Sequence, residues 1–345
     1  MLNLARGLRD AGTQVRLLVV DGRGPLRAAV PDGVEVIDLA AGRVRRAGRP
    51  IVQELRSRPA DLILGSQTHV NVLLALLRPL VPARSRLVVR EPNLRPEADP
   101  GRPRDRAVGW ALGRADLVVA SSAPMAAHLA ATVRRPDRVV VLPNPVDVDG
   151  LRDAARAGTP VAGATPLVSV GRLAPQKAHA DLLAALGTAP SAPSLTLLGD
   201  GPLRGALQEQ AGDASTAGRV HLAGRVDDAT TLAATVAAAD LLVHPATFDG
   251  MPNAVLEALA VGTPVLATTD LKVLADLAAE VGPDALRLVP RDRLGEALAA
   301  LTGPDPAPRP RPSLLPDRFA VDAVVAALDE ALAALPDAGR VASGR

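Results

Sequence analysis

The chain has 345 residues, enough for two domains, and its 48% hydrophobic and 22% charged residues exclude a disordered chain. It has no Cys, which excludes disulfides, thiol catalysis and Cys-ligated metal and fits a reducing cytoplasm. The net charge of +2 hides an asymmetry: residues 1–160 hold 25 Arg and no Lys against 16 acidic residues, and the remainder is net acidic. Such a basic half suits an anionic partner or a solvated Arg-rich surface. With no Tyr, two Phe and one Trp, aromatic stacking on sugars or bases is nearly unavailable. No apolar run reaches the ~20 residues of a membrane span. The opening MLNLARGLRDAG has the pattern of an amphipathic helix and lacks the apolar core of a signal peptide.

Short apolar strands alternate with helical stretches along the chain. In the first half the candidate strands are 15–20 (VRLLVV), 34–38 (VEVID), 61–65 (DLILG), 86–90 (RLVVR), 116–120 (DLVVA) and 139–142 (VVVL). In the second half they are 167–170 (LVSV), 195–199 (LTLLG), 220–224 (VHLAG), 240–245 (DLLVHP) and 264–268 (PVLAT). Continuous apolar strands separated by helices predict parallel sheets covered on both faces, an α/β fold. The segment Gly158–Thr165 reads as a linker between two Rossmann-like domains, 1–160 and 161–312. Prolines at 304, 306, 308, 310, 312 and 316 predict an extended path there, before a final helix near Asp317–Leu335 within a tail, 313–345, that crosses back to the first domain. The chain opens on a helix where a doubly wound domain opens on a strand and a Gly-rich turn, so that first strand and loop are expected to be missing.

Three segments carry candidate chemistry. In VGRLAPQK, Gly171 ends a strand, and Arg172 and Lys177 precede a helix. Two cations at a helix start suit a diphosphate, although two solvated loop cations would look the same. In LLGDGPLR, Gly199 and Gly201 make a tight strand-to-helix turn that either contacts a ligand or is only a turn, since Arg204 stands where a dinucleotide fingerprint needs its third glycine. The third is HPATFDGMPNAVLEALAVGTPVLAT, where Asp249 and Glu257 flank a turn and a helix start. Free amides of Gly250, Met251 and Asn253 there, with Pro252 offering none, could meet sugar hydroxyls beside the carboxylates. The alternative is a capped helix with solvated acids. His69, at the carboxyl end of the DLILG strand, is either an acceptor-side contact or a satisfied helix-start residue. His244 reads as structural, and the Asp147/Asp149 pair as a turn or helix cap rather than a metal site.

Taken together, VLPNPVD, VGRLAPQK, GDGPLR, the AD-x-x-V-x-P strand and FDGMPNAVLEALAVGTPV resemble, in order and spacing, the retaining glycosyltransferases of family 4. The resemblance implies a GT-B fold, two Rossmann-like domains with parallel sheets facing across a cleft. It implies that Arg172 and Lys177 neutralise the diphosphate of a nucleotide-sugar donor. It also implies that Glu257 binds ribose, that Asp249 with the amides of Gly250 to Asn253 holds the sugar, and that Arg225 and Val226 lie by the base. The family usually has Glu where Asp249 stands. Many relatives place a His after the strand equivalent to RLVVR, where this chain has Glu91 and Asn93, taken here as acceptor-side candidates.

The expected activity is transfer of a sugar, with retention, to a glycan, a lipid-linked or a small-molecule acceptor, in polysaccharide or cell-envelope synthesis. Closure about the linker would assemble the site. No cofactor, metal or nucleic-acid partner is expected, because Arg172 and Lys177 supply the positive charge. The expected location is cytoplasmic, with the basic half available to an anionic membrane surface. The alternatives are a donor-binding pseudoenzyme or truncated inactive transferase, and a sugar-nucleotide epimerase of the same fold.

Overall fold

The structure, a computed structural model, describes residues 1–24, 27, 29–91, 103–301 and 309–336. The chain runs α1 (Leu2–Asp10), β1 (Arg16–Val19), β2 (Glu35–Asp38), α2 (Gly48–Ser57), β3 (Leu62–Gly65), α3 (Thr68–Leu77), β4 (Arg86–Arg90), α4 (Pro103–Leu112), β5 (Leu117–Ala120), α5 (Ala123–Thr132) and β6 (Val139–Val141). It continues through α6 (Val148–Ala157), β7 (Leu167–Val170), α7 (His179–Gly187), β8 (Leu195–Leu198), α8 (Arg204–Ala211), β9 (Val220–Gly224), α9 (Ala229–Ala238) and β10 (Leu241–His244). The last elements are α10 (Asn253–Ala260), β11 (Val265–Thr268), α11 (Ala275–Val281), β12 (Leu286–Val289), α12 (Leu294–Ala299) and α13 (Val321–Ala333). Two compact units result, Met1–Pro145 with Arg318–Arg345, and Val146–Asp317.

In the first unit, β3-β4-β5-β6 form one parallel sheet, and β1 and β2 form a separate parallel pair. Successive residues of a strand face opposite sides. Leu87 and Val89 of β4 therefore join Val118 and Ala120 of β5 in a core with Ile51, Leu74 and Met125 from α2, α3 and α5. Val88, Leu117 and Val119 point the other way, onto Leu4 of α1 and Val325 and Leu328 of α13. Both faces are covered, so these strands read as unbroken apolar runs. Gly7 lets α1 approach α13 closely, since a Cβ there would lie 2.4 Å from Val321 Cγ1.

The second unit is one parallel sheet in the order β12-β11-β10-β7-β8-β9. Counted from β9, this is the 3-2-1-4-5-6 order of a doubly wound fold. Leu182, Leu183 and Leu186 of α7 pack on Leu167, Leu195 and Val243 in its core. Burying each such side chain stabilises the unit by roughly 1.5–3 kcal/mol.

Three expectations change. The division falls after Pro145, not at 158–165. Residues 158–165 belong to the second unit: a Cβ on Gly158 would lie 2.3 Å from Thr230 O, Val161 N donates to Thr235 Oγ1 (3.0 Å) and Thr165 N to Thr196 Oγ1 (3.1 Å). A short stretch of small residues resembled a linker because its partners are distant in sequence. Strand β12 escaped the sequence reading because Arg287 interrupts its apolar run; β12 is the sheet's edge strand, where an exposed Arg costs little. Among the described residues of the proline-rich stretch, 309–316 are neither helix nor strand and dock by Leu314 N on Leu259 O (2.8 Å).

Candidate functional site

In a doubly wound sheet, ligands bind beyond the carboxyl ends of the strands where the strand order reverses. Here β7 and β10 are neighbours at that reversal, with β7 leading on to β8 on one side and β10 to β11 on the other. The loops that follow these two strands carry Arg172 and Lys177, and Asp249. Thr247 N and Oγ1 both donate to Gln176 O, at 2.9 and 3.1 Å, tying the two loops together.

Lys177 closes a 3-10 turn, Pro175–Lys177, and Ala178 then adopts φ +50°, a left-handed conformation that a non-glycine residue occupies at a cost of about 1–2 kcal/mol. This kink starts α7 while Lys177 turns back over the switch point. The Lys177 ammonium hydrogen-bonds Asp249 Oδ2, and Gly250 N donates to Asp249 Oδ1 (3.0 Å). His244, the last residue of β10 and 2% exposed, places Nε2 3.5 Å from the same Oδ2. That is a long, weak contact at the edge of hydrogen-bond range, and this nitrogen has no other hydrogen-bond partner. Burial alone would raise the Asp249 carboxyl, but His244 and the Lys177 ammonium outweigh it and hold it at about 2. His179, first in α7 and also 2% exposed, is lowered to about 4, by burial first and then by His244 and Lys177. Burial likewise lowers His244, outweighing the opposing pull of Asp249, with Lys177 adding to it, so both imidazoles are neutral near pH 7.

Arg172 is exposed, and among the described residues no ion pair holds its guanidinium. Gly199 and Gly201 are needed for shape. At φ +146°, a Cβ on Gly199 would lie 1.9 Å from Gly171 O, and one on Gly201 would lie 2.4 Å from Leu173 O. The β8 loop thus presses on the β7 loop, fastened by Leu173 N to Asp200 O and Leu203 N to Leu173 O, both 3.0 Å. Helix α10 begins at Asn253 with Pro252 as its cap. Met251 and Pro252 are buried and Asn253 is exposed. Glu257 lies one turn into α10, half-buried, and burial raises its carboxyl. Arg225 is exposed with Nε 2.5 Å from Asp227 Oδ1, and Val226 beside it is half-buried.

The structure corrects some of the sequence-derived roles. The Gly250 amide is taken by Asp249 rather than left free, because the carboxylate folds back on its own turn. Glu91, the acceptor-side candidate, is 6% exposed; Thr68 Oγ1 donates to its Oε2 (2.7 Å), and Asn71 Nδ2 donates to its Oε1 (2.8 Å). His69 is exposed in the first turn of α3. Asn93 lies outside the described residues. Asp147 caps α6 through Gly150 N (3.1 Å), and among the described residues no cluster of His, Asp and Glu has the geometry of a metal site. His244, read from the sequence as structural, is buried beside Asp249. Its signal was position, the last residue of the strand on which the order reverses.

Two family descriptions match the chain: the group 1 glycosyl transferases over residues 164–302, and Glycosyltransferase Family 4 over residues 1–149. The lipopolysaccharide core biosynthesis glycosyltransferase LpsE of Rhizobium meliloti (strain 1021) is 37% identical over 116 residues, which are 34% of this chain and 33% of that protein. The 2-deoxystreptamine glucosyltransferase of Streptomyces kanamyceticus is 30% identical over 259 residues, 68% of this chain and 66% of that protein. The chain therefore spans about a third of one relative and just under two thirds of the other. Among solved structures, that of Anabaena HepE in complex with UDP and glucose superposes with a TM-score of 0.69 at 20% identity, covering 97% of this chain and 95% of HepE.

Proposed function

The chain belongs to the family 4 (group 1) glycosyltransferases, with the GT-B fold, and from that premise we propose that it moves a sugar, with retention, from a nucleoside-diphosphate donor held by the second unit. The observation that carries this reading is the meeting of Lys177 and Asp249 at the switch point, one cation and one carboxylate on loops from adjacent strands. In this reading Lys177 and the exposed Arg172 take the diphosphate, Asp249 accepts hydrogen bonds from the sugar, and Glu257 accepts from the ribose. The bond from the anomeric carbon to the diphosphate breaks and its electron pair stays on the leaving oxygen, while an acceptor hydroxyl oxygen forms the new bond on the same face and gives up its proton to that departing phosphate oxygen. Charge grows on the leaving oxygen, so fixed cations lower the barrier more than they tighten the ground state. Arg172→Ala and Lys177→Ala are each expected to lower turnover at saturating donor about 10²–10³-fold, followed as nucleoside diphosphate released. Unchanged turnover in both would overturn the proposal.

For the acceptor, the favoured class is a lipid-linked glycan at an anionic membrane surface, in line with the lipopolysaccharide role in the name of LpsE. No helix among the described residues is long and apolar enough to cross a membrane. The first unit nevertheless exposes Leu76 (52%), Leu80 (47%) and Trp110 (44%). Arg114 joins two of these positions: its Nε donates to Ala75 O (3.2 Å), next to Leu76, and its guanidinium lies 5.1 Å from the Trp110 ring centre. Arg56 Nε donates to Leu80 O (2.9 Å). Apolar side chains rimmed by arginines suit the boundary between headgroups and acyl chains. Trp110 is the only Trp, and there is no Tyr, so intrinsic emission reports on this face alone. It is expected to shift to the blue with anionic vesicles and not with neutral ones.

A further inference from the structure

His244 stands in an unusual position for a buried residue. Its Nε2 has no hydrogen-bond partner although it is 2% exposed. A buried polar atom left this way is destabilising, and native structures normally satisfy it. It faces Asp249 Oδ2 at 3.5 Å, and Lys177 already occupies that oxygen. The cation that the donor reading assigns to the diphosphate is thus engaged elsewhere while the site is empty.

We propose that His244 is the positioning residue for Asp249, and that donor binding exchanges one partner of Asp249 Oδ2 for another. A diphosphate competes for the Lys177 ammonium, and Lys177 swings to it. Asp249 would then be a partly buried carboxylate without a counter-charge, a costly state. A movement of about half an ångström brings His244 Nε2–H within the ordinary hydrogen-bond range of Oδ2. One exchange satisfies the orphaned imidazole and keeps Asp249 ionised and aimed at the sugar. The imidazole must be neutral with its proton on Nε2, and burial, the largest influence on it, disfavours its charged form against the opposing pull of Asp249. His179, the other buried imidazole beside it, is neutral as well and adds no positive charge when Lys177 leaves. The inference rests on the donor reading above and adds to it a residue that the motif does not contain.

The test is a double-mutant cycle read by calorimetric binding of UDP, GDP and ADP in turn, taking forward whichever binds the wild-type chain. His244→Leu removes the replacement partner and is expected to weaken that nucleoside diphosphate about tenfold. His244→Gln, which keeps an N–H donor, should stay within about twofold of the wild type. In an Asp249→Ala background Lys177 has nothing to leave behind, and adding His244→Leu should change affinity by less than about twofold. Equal losses in both backgrounds would mark His244 as merely structural and overturn the proposal, as would a His244→Gln protein no better than His244→Leu. If His244→Leu does not fold, the wild-type protein still decides. The His244 Nε2–H proton resonance should move downfield on saturation with the nucleoside diphosphate, and an unmoved resonance sinks the exchange. Failure of all three nucleotides to bind the wild-type chain would instead remove the donor reading itself.

Discussion

Two carboxylates sit just past the carboxyl ends of parallel strands, Glu91 after β4 in the first unit and Asp249 after β10 in the second. The sequence offered both for a ligand, Asp249 for the donor sugar and Glu91 as an acceptor-side candidate. Glu91 is 6% exposed and accepts from the Thr68 hydroxyl and the Asn71 amide, on the helix that follows the neighbouring strand. Asp249 faces a cation and a spare imidazole, and its side chain keeps 15% of its accessibility. The difference teaches that a carboxylate at a strand end is ready for a ligand only when its partners can be exchanged. Glu91 and its partners form a fixed network, and losing it would leave buried donors unpaired. Asp249 instead pairs with Lys177, a cation carried on the loop of the adjacent strand.

The contrast breaks most directly on Asp249→Ala. Its kcat/KM for transfer is expected to fall about 100-fold or more, a loss far larger than the few degrees of Tm that go with the lost ion pair, as measured by steady-state kinetics beside a melting curve. Glu91→Leu should do the reverse. It strands the Thr68 hydroxyl and the Asn71 amide at a cost of about 1–3 kcal/mol, which lowers Tm by several degrees. Its activity per folded molecule should stay within about twofold. If Glu91→Leu instead abolished transfer at full stability, the two carboxylates would be alike after all.

Acid provides a finer comparison. The folded-state Asp249 carboxyl is held at about 2, below its usual 3.8. Its contribution is therefore present above about pH 4 and is lost as pH falls towards 2, an effect of about 2 kcal/mol. The fall in Tm between those pH values should be shallower in Asp249→Ala than in the wild type. Glu257 runs the other way, since burial raises its carboxyl and its ionised form is destabilising at neutral pH. Glu257→Gln is expected to raise Tm at pH 7 by about 1–3 °C while weakening donor binding about tenfold, a trade of stability against binding. A neutral or lower Tm would show that the ionised Glu257 is already compensated.

Much of this molecule is readable from local pattern. The parallel α/β character, eleven of the strands and the Asp147 cap follow from apolar runs, turn residues and helix starts, which depend on neighbours a few positions away. The spacing of VGRLAPQK and FDGMPNAVLEALA was enough to single out Arg172, Lys177, Asp249 and Glu257. What the sequence could not decide is which loops meet. The order β9-β8-β7-β10-β11-β12 sets β7 beside β10. That order alone brings Lys177 to Asp249 across 72 residues and leaves His244 beside them without a partner. The same long-range packing closed Glu91 into Thr68 and Asn71, folded the Gly250 amide onto Asp249 and drew residues 158–165 into the second unit. Hydrogen bonds and ion pairs act over a few ångströms in space, and only the folded chain says which residues lie within that reach.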